Sequence, residues 1–419
     1  MVDVLPQKII HIALESDVPK LYPDKTYPVF YVVFWWYGIP LGHVKISRSQ
    51  LPLSVNELKQ LAVCTIAPVI AAYLQESNLF LLKRPNLTVQ DHFDADKVLR
   101  QWEKPFLIWR EEHSAPAAAS VSVVICTRDR PEYIQQCLRS LQTLSEPPDE
   151  IVVVDNAPSS DATRRIVAQI PKVKYVLEPQ PGLDFARNAG IRHSSSEVIA
   201  YTDDDVKVHS DWVLQLRRAF QNPEVMAVTG LVLAAELETK SQYIFESHWS
   251  FNRGYQPLTY DKSYFQKYAS VGVPAWRIGA GANMAFRRSL FETAGIFDER
   301  LDVGAAGCSG DSEMWYRVLA EGLKCRYEPT AVVYHFHRRD MEGLHRQIFY
   351  YMRGHVAELL IRFERYRHWG NLVRLALLPI YFSYLLLLGW SKAPYRYSTI
   401  FSEIKGCLSG FKFYFSHSN

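Results

Sequence analysis

The chain has 419 residues, 48% hydrophobic and 22% charged, a balance that suits a globular protein with a real core. Its net charge of +3 is too small to argue for a nucleic-acid partner. The six cysteines (Cys64, Cys126, Cys137, Cys308, Cys325, Cys407) form no CxxC pair and no regular spacing, so a zinc cluster or disulfide scaffold is not expected and a reducing, cytoplasmic compartment is.

Residues 1–114 read as a small α+β accessory region, with no segment patterned as a signal peptide. Val29 to Trp36 predicts a strand, Gly38-Ile39-Pro40 a turn, and Gly42 to Ile46 a second strand, together a bulky aromatic hairpin. Ser54 to Leu74 places apolar residues at helical spacing, with Ser54 and Glu57 available as a capping box. No catalytic chemistry is visible here. Ser114 to Ser120 is a run of small residues and reads as a linker.

Beyond the linker, strands and helices alternate. Val121 to Ile125 is a nearly continuous apolar strand, as in a sheet covered on both faces. Pro131 opens a helix presenting Ile134, Cys137, Leu138, Leu141 and Leu144. Glu150 to Val154 is a strand ending at Asp155, Asp161 caps a short helix, and Val173 to Leu177 is a further strand. Phe185 to Ile191 is helical, Val198 to Thr202 returns to strand, and Ser210 caps a helix carrying Val213, Leu216 and Phe220. This alternation predicts a mostly parallel α/β sheet flanked by helices. Glu236 to Ile278 is aromatic, polar and irregular. Ser289 and Glu292 offer a capping box for a short helix ending near Gly295, Ser312 to Ala320 reads as a helix, and Arg326 to Tyr334 runs into His335-Phe336-His337.

The chemistry gathers at strand ends, where ligands bind in open α/β sheets. The strand from Val198 runs straight into Asp203-Asp204-Asp205. Three carboxylates cannot be buried without a partner; a divalent metal held together with phosphates is the expected one. Asp203 and Asp205 can serve different atoms of one ligand, one a ribose hydroxyl and the other a metal on a diphosphate. Thr127 and Arg128 end the first strand and Asp155 the second. With the acidic triplet they converge as a nucleotide pocket requires, Asp155 accepting from a base N–H and Thr127 backbone groups helping to hold the base. No GxGxxG or GxxxxGK motif occurs, so a diphosphate is expected to depend on metal. Asp311 lies at a helix start and fits either a cap or a general base. His335 and His337 face one side of an extended segment, and His335, nearer the strand end, is the candidate imidazole of a metal shell. Trp276, in the irregular aromatic stretch, offers a flat face to a ring-shaped ligand, or simply a packing contact.

The segments VSVVICTRDRP, EIVVVDNAPSSD, GLDFARNAG, VIAYTDDDV, GAGANMAFRRSLFETAGIFDERL and GDSEMWYRVLAEG, in this order between about Ser120 and Arg339, resemble the family 2 glycosyltransferases. The resemblance covers roughly half the chain. It implies that residues 120–345 form a GT-A type domain performing metal-dependent, inverting transfer of a sugar from a UDP-, GDP- or dTDP-linked donor to an acceptor hydroxyl on a saccharide or lipid-linked molecule. The implied cation is Mg²⁺ or Mn²⁺. Asp155 matches the aspartate that recognises the base, and Arg187 a donor-pocket arginine. Asp203 and Asp205 match the ends of a DxD motif, with Asp205 as metal ligand; the role of Asp204 stays open. Asp311 matches the base of the usual Glu-Asp motif, but Gly310 stands where that motif has Glu, removing one expected carboxylate near the acceptor.

Residues 346–419 read as a helical extension. Leu372 to Trp390 is strongly apolar, interrupted by Arg374 and Pro379, preceded by Arg362, Arg365 and Arg367 and followed by Lys392 and Arg396. Its length is marginal for a span, and its cationic flanks suit anionic headgroups. A helix packed on the catalytic domain, peripheral contact at the cytoplasmic face of a membrane, and a transmembrane pass are all open. Two other functions compete. A nucleotidyltransferase would use a similar acidic site but should carry a glycine-rich basic loop after the first strand, which is missing. A sugar-nucleotide-binding protein without turnover is suggested by Gly310. Nothing in the sequence specifies an oligomeric state.

Overall fold

The computed structural model describes residues 5–76, 93–112, 119–392 and 397–417. The linker residues Ser114 to Ala118, and Arg396, lie outside the described residues.

The first sheet contains β1 (Gln7–Ala13), β2 (Val29–Trp36) and β3 (Ile39–Ser47), with β1 parallel to β2 and β2 antiparallel to β3. The hairpin turns at Tyr37-Gly38, both at positive φ (49° and 78°), a two-residue geometry that matches strand twist. The turn therefore comes earlier than expected, and Ile39 and Pro40 belong to β3. α1 (Val55–Glu76) starts from the predicted capping box: Glu57 accepts from the Ser54 N–H at 2.8 Å and hydroxyl at 2.6 Å, while the Ser54 oxygen accepts from the Glu57 N–H at 3.3 Å. The sequence reading did not anticipate β1 or α2 (Ala95–Glu112). α2 buries Leu99, Trp102, Phe106 and Trp109 on one face, and Phe106 stacks on Trp36 at 5.2 Å. The same apolar cluster includes Leu231, Leu233 and Val332, so this region shares its core with the rest of the protein.

The larger sheet is built from a second run of elements. These begin with β4 (Val121–Thr127), α3 (Pro131–Leu141), β5 (Glu150–Asn156), α4 (Ala162–Val167), β6 (Val173–Glu178) and α5 (Leu183–His193). They continue with β7 (Val198–Asp203), β8 (Val206–Val208), α6 (Trp212–Ala219), β9 (Val225–Ala234), α7 (Lys240–His248), β10 (Leu258–Tyr260) and α8 (Lys262–Tyr268). Then come β11 (Asn283–Arg287), α9 (Leu290–Thr293), α10 (Gly310–Ala320) and β12 (Lys324–His335). Among the described residues the spatial order is β10-β12-β9-β11-β7-β4-β5-β6, with β8 on β12. β7, β4, β5 and β6 are mutually parallel, as expected. β11 is antiparallel to both β7 and β9, and β9 runs parallel to β12. Two reversals cancel, so β4, β5, β7, β9 and β12 all end at one edge. Register tightens this: Thr127 lies beside Asp155 and Cys126 beside Asp203, while His335 pairs with Val206 just beyond the acidic turn.

Three predicted caps are not realised. Asp161 stands at the start of α4 but accepts from Arg165 at 2.7 Å instead. Asp211, not Ser210, precedes α6, without a side-chain cap. Ser289 precedes α9, but its side chain makes no capping bond. The stretch from Glu236 to Ile278 is more ordered than expected. Thr239 and Gln242 form a capping box for α7, and Asp261 caps α8.

The C-terminal part is helical as expected: α11 (Met341–Tyr366), α12 (Gly370–Lys392) and α13 (Ile400–His417). α11 packs against both later helices and buries Arg362 against Glu358 at 2.7 Å, so that predicted headgroup contact is an internal ion pair.

Candidate functional site

The common edge opens into a cavity of about 1240 Å³. Thr127, Arg128, Arg187, Asp203, Asp204, Asp205, Trp276, Asp311 and His335 line it. Asp155 lies behind the wall, next to the lining residue Asn156. It is fully buried, and its Oδ2 accepts from the Tyr175 hydroxyl at 3.0 Å. Its Oδ1 is buried with no hydrogen-bond partner, and burial pushes the carboxyl above the usual range. A buried acceptor left open at a strand end suits an incoming N–H.

The acidic triplet divides into three environments. Asp204 is turned inward, accepting from the Thr127 hydroxyl at 2.7 Å and from Arg130 at 2.8 Å. Thr127 thereby spends its side chain on the triplet, and its backbone groups are the ones left for a base. Asp205 also accepts from Arg130, at 3.1 Å, and faces His335 Nε2 at 3.3 Å and Arg338 at 4.0 Å. Burial opposes its ionisation, but the positive charge around it, Arg130 and Arg338 included, outweighs burial and holds the carboxyl below the usual range. Asp203 has no such cation in contact. Burial, then the charge of Asp205, pushes it up to about 7.

Ligand atoms of Asp203, Asp205 and His335 lie within 4.8 Å of one another, a spacing that one ion can bridge. Burial pushes His335 down to about 4, so the imidazole is neutral at pH 7, as ligation requires. Its contacts accommodate the tautomer that ligation needs. His337 Nε2 lies 3.2 Å from a Glu246 carboxylate oxygen, and His337 Nδ1 lies 3.0 Å from His335 Nδ1. With His337 donating from Nε2 to Glu246, its Nδ1 accepts from His335 Nδ1–H. That leaves a lone pair on His335 Nε2, the atom facing Asp205. Two carboxylates and one imidazole fit a hard divalent cation such as Mg²⁺ or Mn²⁺. His337 does not join this set; it supports it from behind.

Asp311 sits in the first turn of α10, after Ser309, which holds a left-handed φ of 83°. Its Oδ2 accepts from the Gly281 N–H at 2.7 Å and its Oδ1 from the Ser312 N–H at 2.7 Å. Its enclosed position, then Asp302, pushes the carboxyl up, partly offset by Arg187. Ser309, not Asp311, stands at the cap position, and Asp311 is instead a carboxylate fixed at the cavity wall by two N–H groups, one of them from outside α10. Arg187 is buried, bonding Asp184 at 2.8 Å and Asp302 at 2.7 Å, and lies over the Phe297 ring at 5.4 Å. Trp276 carries the Arg374 guanidinium 4.9 Å from its ring centre and meets His355 edge-on at 4.9 Å. One face of the indole is therefore already occupied.

The sequence reading passed over Arg130, Asp184, Asp302, Glu246 and Arg338. Arg130 carried a legible signal, a cation at the same strand end as the acidic triplet. The others come into play only through pairings across the fold.

The family profile "Glycosyl transferase family 2" matches residues 122–295. The pre-mycofactocin glycosyltransferase of Mycobacterium tuberculosis is 26% identical over 255 residues, 59% of this chain and 49% of that protein. The probable glycosyltransferase YdaM of Bacillus subtilis is 28% identical over 242 residues, 54% of this chain and 52% of that protein. The chain thus spans about half the length of these curated relatives. Among solved structures, the mannosyltransferase PcManGT from Pyrobaculum calidifontis, in complex with GDP-Man and Mn²⁺, aligns with 75% of this chain and 96% of its own at 19% identity and a TM-score of 0.46.

Proposed function

We propose, from the premise that residues 122–295 are a family 2 glycosyltransferase domain, that the protein transfers a sugar from a nucleotide-diphosphate sugar to an acceptor hydroxyl with inversion at the anomeric carbon. The observation that carries this reading is the meeting of the Asp203, Asp205 and His335 group with a fixed carboxylate, Asp311, on one cavity. The orphan Oδ1 of Asp155, one residue from the lining Asn156, is the acceptor offered to a base that reaches past the wall, and Arg128, which lines the cavity, faces the donor. A divalent cation on Asp203, Asp205 and His335 would supply positive charge against the diphosphate leaving group. Asp311 takes the proton from the acceptor hydroxyl, its carboxylate aimed by the Gly281 and Ser312 N–H groups. The hydroxyl oxygen then bonds to the anomeric carbon as the bond to the diphosphate breaks on the opposite face. Trp249, Phe251 and Trp276 line the cavity and limit water at the reacting atoms.

The acceptor end of the cavity reaches Leu377, Leu378 and Tyr381 of α12. Trp369, just before that helix, and Val373, Ile380, Tyr384 and Leu387 within it are exposed. An apolar wall running onto an exposed apolar helix suits a lipid-linked acceptor taken from the cytoplasmic face of a membrane, with α12 lying in the interface. Gly370–Leu387 is long and apolar enough for a span by composition, with 22% of that window buried. Its cavity-lining residues argue for contact rather than crossing.

Incubating the chain with UDP-, GDP- and dTDP-sugars, Mn²⁺ and candidate acceptors, then following nucleoside diphosphate release and the product's anomeric configuration by NMR, tests the proposal. Release with an inverted product supports it. Tight donor binding with no release across the acceptor panel would instead support the binding-protein alternative.

A further inference from the structure

We infer that Asp184, on α5, supplies the carboxylate that Gly310 leaves out beside Asp311, and that positions 184 and 310 are a matched pair. The inference rests on the assignment of Asp311 as base. A Cβ on residue 310 would stand 2.3 Å from Asp184 Oδ2, 2.6 Å from Oδ1 and 2.8 Å from Cγ. Any side chain there collides with a carboxylate, and a glutamate would add charge repulsion to the collision. Glycine is therefore the residue that lets Asp184 reach the start of α10.

Asp184 is held in place from three directions. Its Oδ1 accepts from Arg187 at 2.8 Å, the backbone N–H of neighbouring Leu183 bonds the Val303 carbonyl at 2.8 Å, and Gly310 presents its bare Cα. The side chain is wholly buried, yet Oδ2 has no hydrogen-bond partner. Burial holds the Asp184 carboxyl well above the usual range, with Asp302 and Asp311 adding to this against Arg187, so its charge is costly unless something favours it. Two features do. Arg187 is one. The other is the first turn of α10, preceded by Ser309, which offers no side-chain cap, so the positive end of the helix faces a carboxyl oxygen from a different element. Arg187 in turn lies close to the base: a Cβ on Gly281 would be 2.8 Å from Arg187 Nη2 and 3.5 Å from Asp311 Oδ2. Asp184 is thus a positioning residue. It orients Arg187 and steadies the helix start that carries Asp311, from a place in the chain where the usual Glu-Asp pairing would not put a carboxylate.

The test is a swap in the full chain, comparing Asp184→Ala, Gly310→Ala, Gly310→Glu and the double variant Asp184→Ala/Gly310→Glu. Turnover and thermal unfolding are both read, with Asp311→Asn as the control for the base. Each single variant is expected to lose about a hundredfold in kcat, the scale of an ångström's misplacement of reacting groups, with any rise in donor KM through Arg187 smaller than that fall. The double variant is expected to recover most of that loss and to unfold at a higher temperature than Gly310→Glu. If a single variant is insoluble and the double is soluble, the pairing is supported and the turnover of the double decides the role of the carboxylate. Asp184→Ala at the wild-type rate overturns the inference. So does a double variant no better than the worse single, or one restored in unfolding temperature but not in turnover. Failure of the base assignment is separate: it shows as an active Asp311→Asn and leaves the unfolding comparison intact.

Discussion

Replacing Asp311 with asparagine separates chemistry from architecture. The carboxylate accepts two backbone N–H bonds, each 2.7 Å. Asparagine keeps the shape and one acceptor but turns an NH₂ toward the other donor, leaving one N–H unsatisfied at a cost of about 1–3 kcal/mol. Some of that is offset because an enclosed charge disappears. The native carboxyl is raised above its ordinary value by its enclosed position and by Asp302. A raised carboxyl binds its proton more tightly folded than unfolded. Its stabilising contribution is complete below the unfolded value of about 4 and is lost as pH rises through the folded one. Above the folded value that contribution is gone, and in that range Asp311→Asn should change stability by no more than about 2 kcal/mol. A general base is worth about 10²- to 10⁴-fold in rate, or roughly 3–5 kcal/mol of barrier. Nucleoside diphosphate release should fall by that factor, while the donor-induced thermal shift with Mn²⁺ stays as in the wild type. The wild-type acid limb of kcat should lie above about pH 4, because protonating Asp311 removes the base. A variant within threefold of the wild-type rate would refute the reasoning, as would equal losses of rate and donor binding.

Asp203, pushed up to about 7, must lose its proton to bind a cation. Mn²⁺ affinity measured by calorimetry should therefore fall about tenfold per pH unit below 7, and a flat profile between pH 5 and 7 would contradict this. Glu246→Ala removes the acceptor that orients His337 and, through it, His335; Mn²⁺ affinity should weaken about 10- to 100-fold while nucleotide contacts stay intact. Ile380→Glu and Leu387→Glu alter exposed apolar positions on α12, 65% and 80% accessible. Each should cut co-sedimentation with phosphatidylserine-containing vesicles by at least about tenfold, since an apolar side chain contributes about 1.5–3 kcal/mol when buried; unchanged sedimentation would remove the case for interfacial docking.

Strand ends were the legible part of this chain. β4, β5 and β7 are short apolar runs that stop at polar residues, so both the parallel half of the sheet and the positions of Thr127, Asp155 and Asp203 could be read from pattern alone. β11 could not: Asn283 to Arg287 is no less apolar than a parallel strand, and its antiparallel placement is set by pairing with β7 and β9. Capping was legible only where the cap had no competitor. Ser54 found Glu57, whereas Asp161 was taken by Arg165. The apolar face of α2 follows helical spacing, but Pro105 within it obscures the pattern. Asp184 is the clearest case of the unreadable. Nothing in its local sequence marks it, because its meaning lies in a glycine on another helix.

The most direct test is a thermal-shift comparison of wild type and Asp205→Asn with UDP, GDP and dTDP, each with and without Mn²⁺. The acidic strand end binds diphosphate only through a cation if Asp203, Asp205 and His335 form a metal site. At least one nucleotide should stabilise the wild type when Mn²⁺ is present and not with EDTA, and Asp205→Asn should abolish that dependence. Stabilisation indifferent to Mn²⁺, or equal in the two proteins, would contradict it.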